Sequence, residues 1–139
     1  MKNTQEMGTL LLRVVLGFTF FMHGLDKVQS GVGNFAEGFP AMGLPAFLAY
    51  IVAAVELAGG LALILGLGTR AFSLSMAIIM VGAILFVKLG EGFLGGFELD
   101  LILLAIAAHL VLNGSSSLSV DAVILKKRSS HVNMNDQAV

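Results

Sequence analysis

The chain has 139 residues, of which 57% are hydrophobic and 12% charged, with a formal net charge of −1. A soluble domain carries about a quarter charged residues, and one this small buries too little surface to hide so much apolar side chain. The mean hydropathy of +0.92 therefore makes lipid the solvent. No large basic block offers itself to nucleic acid, and the absence of cysteine excludes disulfides, thiolate nucleophiles, iron–sulfur clusters and cysteine zinc sites built from this chain.

A span needs about 20 apolar residues, and four runs qualify or nearly so. The first covers residues 8–25 and is interrupted by Arg13 and His23. It reads as a retained helix, because residues 22–29 offer no small-residue cleavage site. Gly31, Gly33 and Pro40 break the chain next, and Phe35, Phe39 and Leu44 suit that loop to the membrane interface. The second span covers 44–67, with Pro45 in its first turn and Glu56 as its one charge. Ala53, Gly59 and Gly60 surround Glu56 by helical spacing, and Ala54, Ala58, Ala62 and Gly66 form a second small-residue stripe suited to close packing.

Residues 66–70 are a tight turn. The third span covers 71–89 and ends at Lys88, glycines punctuate 90–96, and the fourth span covers 97–113 with Asp100 at its start and His109 inside. A serine run and a short apolar stretch lead to Lys126-Lys127-Arg128. The expected fold is all-α: an integral membrane four-helix bundle over residues 1–125, then a basic and polar tail, 126–139, without fixed structure. Lys2, Arg70 and the 126–128 cluster fall on one side and Lys27 and Lys88 on the other. The positive-inside rule then places both termini in the cytoplasm.

Charges inside a span cost about 2.5–3.5 kcal/mol each on insertion scales, so each needs a reason. Glu56 sits near the middle of its span, either hydrogen-bonded to a neighbouring helix or serving a proton or ligand site. Arg13 is shallow enough to snorkel to the interface, and long enough to pair with Glu56 and hold it ionised. His23, near Asp26, Lys27, Lys88, Glu98 and Asp100 in sequence or depth, belongs to a polar rim or to the mouth of a site. His109 lies deeper, as a packing residue or a ligand. Their unequal depths argue against a haem shared between the two histidines. No HExxH, P-loop or GxGxxG pattern occurs.

These residues resemble the DoxX family of small bacterial membrane proteins. The likeness is carried by Leu12-Arg13 through Gly17, His23-Gly24 with Lys27, and Gly43-Leu44-Pro45. It continues through Val55-Glu56-Leu57-Ala58-Gly59-Gly60, Gly68-Thr69-Arg70, Gly95-Gly96-Phe97-Glu98-Leu99-Asp100 and Asn113-Gly114. It covers about residues 8–122, and within the family it is nearest to oxidoreductases linked to catechol and quinone stress. The resemblance implies a four-helix bundle in the bacterial plasma membrane that acts in, or beside, a redox system. The family's Arg, His-Gly and Glu positions fall on Arg13, His23-Gly24 and Glu56; His109 is outside its pattern, and Phe97 stands where many relatives carry Tyr.

The leading expectation is a quinone-linked membrane oxidoreductase or its subunit, with Glu56, Arg13 and His23 as site residues. Phe18, Phe20 and Phe21 would form an apolar slot, with His109 a weaker ligand candidate. No side chain here carries electrons, so catalysis needs a flavin, a haem or a redox partner protein. Besides the bilayer, the expected partners are a quinone or other aromatic small molecule and further copies of the chain. Two other classes fit the same residues: a proton-coupled exporter using Glu56, and a membrane scaffold that recruits a soluble enzyme through its basic tail.

Overall fold

The computed structural model describes residues 2–116 and 118–136. Its helices are α1 (Lys2–Ser30), α2 (Val32–Ala36), α3 (Phe47–Leu65), α4 (Thr69–Ala83), α5 (Glu98–Asn113) and α6 (Val120–Asp136). Among the described residues, four stretches are long and apolar enough to cross a membrane: Asn3–Ser30, Phe47–Leu65, Thr69–Glu91 and Phe93–Asn113. The all-α, four-span architecture expected from composition is present.

Among the buried residues of α1, Arg13, Leu16, Phe20 and Gly24 are spaced by three or four, with Gly17 beside them, and so share one face of a 3.6-residue helix. Leu16 and Phe20 pack with Leu63 of α3, Met76 and Met80 of α4, and Leu103, Ala107 and Leu110 of α5 to form the core. The opposite faces expose Phe18, Ile51, Leu61, Leu65, Ile78 and Leu112. A continuous apolar exterior of this kind belongs against lipid.

Glycine sets the distance between α1 and α3. A Cβ placed on Gly17 would stand 2.7 Å from the Gly60 carbonyl oxygen, and one on Gly24 would stand 2.5 Å from the Leu57 amide nitrogen. The two backbones therefore touch. Gly59 instead leaves room for side chains of α4, since its Cβ would meet the Met76 and Phe72 side chains. Of the second stripe of small residues, Ala62 and Gly66 are buried, but Ala54 and Ala58 face outward.

Gly66 closes α3 in the left-handed region (φ 74°), and the carboxylate of Asp121 accepts from the amides of Gly68 and Thr69 at 2.9 and 3.2 Å, capping α4 from across the fold. The α4–α5 connection is less regular. A π-helical turn (Ile84–Lys88) is followed by a 3-10 turn (Leu89–Glu91) and a second π turn (Phe93–Phe97), kinked at Leu94 and Gly95. Residues 126–136, the basic and polar tail, lie within α6, while 137–139 lie outside the described residues. The Ser119 hydroxyl accepts the Ala122 amide at 3.1 Å, the N-cap that starts this helix, and composition alone does not reveal it.

Candidate functional site

The chain places its buried charges at two opposite ends of the bundle. One end gathers the early part of α1, the α3–α4 turn and the segment from Gly114 into α6. The other gathers the end of α1, residues 31–46 and the α4–α5 connection.

The second of these ends holds a partly open cavity of about 730 Å³, lined by residues of α1, α3, α4 and α5 and by the 31–46 segment. Phe20, Phe39, Leu48, Val55, Ile79 and Leu103 make most of its wall apolar. Ala36 and Phe39 are packed on Ala49, with Phe35, Met42 and Leu44 around them, so residues 31–46 form a fixed roof over this end of α3. The volume falls in the range of small-molecule sites, about 300–1,000 Å³.

Into this greasy space project two ion pairs. The Lys27 ammonium donates to Glu56 Oε2 at 2.6 Å, with side-chain exposures of 17% and 4%. The Lys88 ammonium donates to Asp100 Oδ2 at 2.7 Å, with exposures of 33% and 7%. Lys27 also lies 5.0 Å from the centre of the Phe35 ring, close enough for a cation–π contact. His23 lines the same cavity and is exposed.

Local sequence explains each placement. Gly24 lets α1 lie against the Glu56–Leu57 backbone, its absent Cβ falling 3.0 Å from the Glu56 carbonyl carbon. Lys27, one turn further along the same face, then reaches Glu56. Lys88 ends a π turn, which adds a residue to the hydrogen-bond ladder and so re-aims the side chains beyond it; such turns recur at functional sites. Asp100 sits in the first turn of α5, where the helix dipole favours a carboxylate.

Arg13 does not meet Glu56. It lies on the same inward stripe as Lys27 but fourteen residues earlier, about 21 Å along the helix axis, so a glutamate level with one is far from the other. Arg13 is 2% exposed. It does not snorkel but donates to the Leu118 carbonyl at 2.8 Å and to Ser116 Oγ at 3.5 Å. Its Nε and the hydroxyls of Thr69 and Ser73 are buried without a hydrogen-bond partner among the described residues.

His109 belongs to the Arg13 end. Its Nε2 is 3.5 Å from Thr9 Oγ1 and its Nδ1 is 3.3 Å from Asn113 Nδ2. Thr9 and His23 are fourteen residues apart on α1, again about 21 Å, so the two histidines do not fit the two faces of one haem. The phenylalanine slot also needs correction. Phe20 lines the cavity, whereas Phe18 and Phe21 do not, and Phe18, 58% exposed, points to lipid. Two residues along a helix turn a side chain by about 200°.

Lys27, Lys88 and Asp100 read from sequence as rim or orientation charges, yet they are the polar equipment of the cavity. For Lys27 a signal was present: it continues the 13, 16, 20, 24 stripe, the buried face of α1. For Lys88 and Asp100 no local pattern foretells the pairing, because it depends on the irregular connection between α4 and α5.

With the geometry in place, comparison with known proteins assigns the relationship. The DoxX family profile matches residues 8–89. The "Putative oxidoreductase CatD" of Bacillus subtilis is 44% identical over 126 residues, covering 91% of this chain and 93% of the relative. The "Inner membrane protein YqjF" of Escherichia coli is 29% identical over 141 residues, covering 91% and 99%. An uncharacterised membrane protein of Mycobacterium tuberculosis is 32% identical over 137 residues, covering 85% and 82%. No solved structure matches. The chain belongs to the DoxX family.

Proposed function

We propose that this DoxX-family membrane protein is an oxidoreductase, or the membrane subunit of a redox complex, whose cavity receives a quinone- or catechol-type aromatic molecule. The observation that carries the reading is the apolar cavity of about 730 Å³ equipped with two lysine–carboxylate pairs. An aromatic ring gains by leaving water for such walls, while its oxygens need hydrogen-bond donors that lipid lacks. The oxidoreductase name of the Bacillus subtilis relative supports the redox half of the reading.

In this reading the ammonium of Lys27 or Lys88 donates to a ligand oxygen. Glu56 and Asp100 supply each lysine with a counter-charge within an apolar wall, and His23 connects the mouth to water. Arg13 has a different duty: it pins the segment after α5 to α1. Electrons come from a flavin, haem or protein partner, since no side chain of this chain carries them.

The orientation follows from charge. Lys27 and Lys88 lie at the cavity end, while the larger set of basic residues, Arg70, Lys126, Lys127 and Arg128, lies toward the opposite end. By the positive-inside rule that distribution supports an orientation with both termini in the cytoplasm and the cavity toward the outer face of a bacterial plasma membrane. The outward Ala54 and Ala58 offer a second copy a close-packing face.

The exporter reading is less favoured by one feature. The core of Leu16, Phe20, Leu63 and Met76 stands between the cavity and the Arg13 end, so a through-path needs the core itself to open. Quinone reduction by membranes carrying the protein tests the proposal. The Lys27→Met/Glu56→Leu variant is expected to fall to the rate of membranes lacking the protein; full activity in that variant would overturn the site.

A further inference from the structure

The two ion pairs of the cavity come from different halves of the bundle. Lys27–Glu56 joins α1 to α3, and Lys88–Asp100 joins the end of the third span to α5. Both pairs line one continuous space. An ammonium has three N–H donors. Lys27 uses one on Glu56 and Lys88 one on Asp100; among the described residues neither ammonium has a further acceptor.

The cavity thus offers spare donors from two different helix pairs, set in a wall that is otherwise largely apolar and aromatic. A hydrocarbon chain would leave both sets of donors without acceptors, which is costly inside an apolar wall. A molecule with a single oxygen would satisfy one set and leave the other. The complementary ligand is flat and apolar in its body and carries acceptor oxygens on opposite edges.

Building on the quinone-type reading above, we propose that the bound molecule is a ring dione that bridges the two halves of the bundle, one oxygen taken by Lys27 and the other by Lys88. Lys88 is then a binding residue in its own right. Occupancy ties the α4–α5 connection, with its two π turns and its kink at Leu94–Gly95, to the α1–α3 pair. The ligand class follows from two lysine donors lining one largely apolar cavity, and the bridge predicts a specificity that a single anchor does not give.

The test uses the full-length protein in mild detergent, titrated with 2-methyl-1,4-naphthoquinone and with 1-tetralone, which has a related bicyclic body but one carbonyl. The variants are Lys27→Met/Glu56→Leu and Lys88→Met/Asp100→Leu. Each removes a pair whole, so that no buried charge is left alone, and thermal unfolding of each variant verifies its fold. The bridge predicts that either variant weakens dione binding by about ten- to a hundred-fold, the worth of a hydrogen bond to a charged donor. It also predicts that the monoketone binds more weakly and responds to one variant at most. Dione binding that is lost in the Lys27 variant and unchanged in a folded Lys88 variant would overturn the bridge while leaving the quinone-type reading intact. No dione binding to the unaltered protein would overturn both.

Discussion

Replacing Lys27 by Met keeps the apolar stem and removes the ammonium that lies 2.6 Å from Glu56. Glu56, 4% exposed in its side chain, then keeps a carboxylate in an apolar wall with no counter-charge at that distance. Breaking a buried pair by removing one partner typically costs about 3–5 kcal/mol. Lys27 is 17% exposed, so some water screens the contact, and a loss of about 3 kcal/mol is the appropriate expectation. Glu56→Leu alone strands the ammonium instead and is expected to cost somewhat less, because a lysine can withdraw its head toward water. Removing both together costs far less than the sum, since an apolar pair of similar volume fills the same space. The assay is a double-mutant cycle on unfolding free energy in detergent, with a coupling energy of about 2 kcal/mol expected. Strictly additive single losses would show that the two side chains do not stabilise each other, and their pairing in the cavity wall would be refuted.

Three further outcomes rest on the packing. Gly24→Ala would set a Cβ 2.5 Å from the Leu57 amide nitrogen, so α1 and α3 must separate; thermal unfolding is expected to show a loss of about 1–3 kcal/mol, together with weaker ligand binding. Phe20→Ala, at a core position 1% exposed, is expected to cost about 3–5 kcal/mol, while Phe18→Ala on the lipid face changes stability by less than about 0.5 kcal/mol; equal effects would contradict the assigned faces of α1. Arg13→Met removes the donor to Leu118 and is expected to raise amide hydrogen exchange around residues 118–122 without changing dione affinity. A large affinity loss in a folded Arg13→Met protein would return Arg13 to the site.

The spans could be read from the sequence because a bilayer leaves a run of apolar residues few alternatives. Glu56 stood out for the same reason, as a charge where none is cheap. Its partner did not stand out. Choosing between Arg13 and Lys27 requires the level at which α1 meets α3, and that level is set by Gly17, Gly24 and Gly60 coming into backbone contact. Once Arg13, Leu16, Phe20, Gly24 and Lys27 are seen as one stripe, both cations are known to face inward, and only one can share Glu56's level. Lys88 and Asp100 were legible as charges at span ends but not as a pair. The turns between them depart from α-helical geometry, and no period in the sequence encodes that departure. His23 adjoins the stripe without being on it, which is why it lines the mouth while remaining exposed.

The central claim is that the cavity holds a quinone-type molecule between its lysines. It is tested most directly by purifying the protein in mild detergent from its native membrane and extracting it for mass spectrometry, alongside the Lys27→Met/Glu56→Leu variant. The expected result is a quinone in near one-to-one ratio with the unaltered protein and its absence from the folded variant. A protein that carries no such molecule, or a variant that retains it undiminished, would contradict the account.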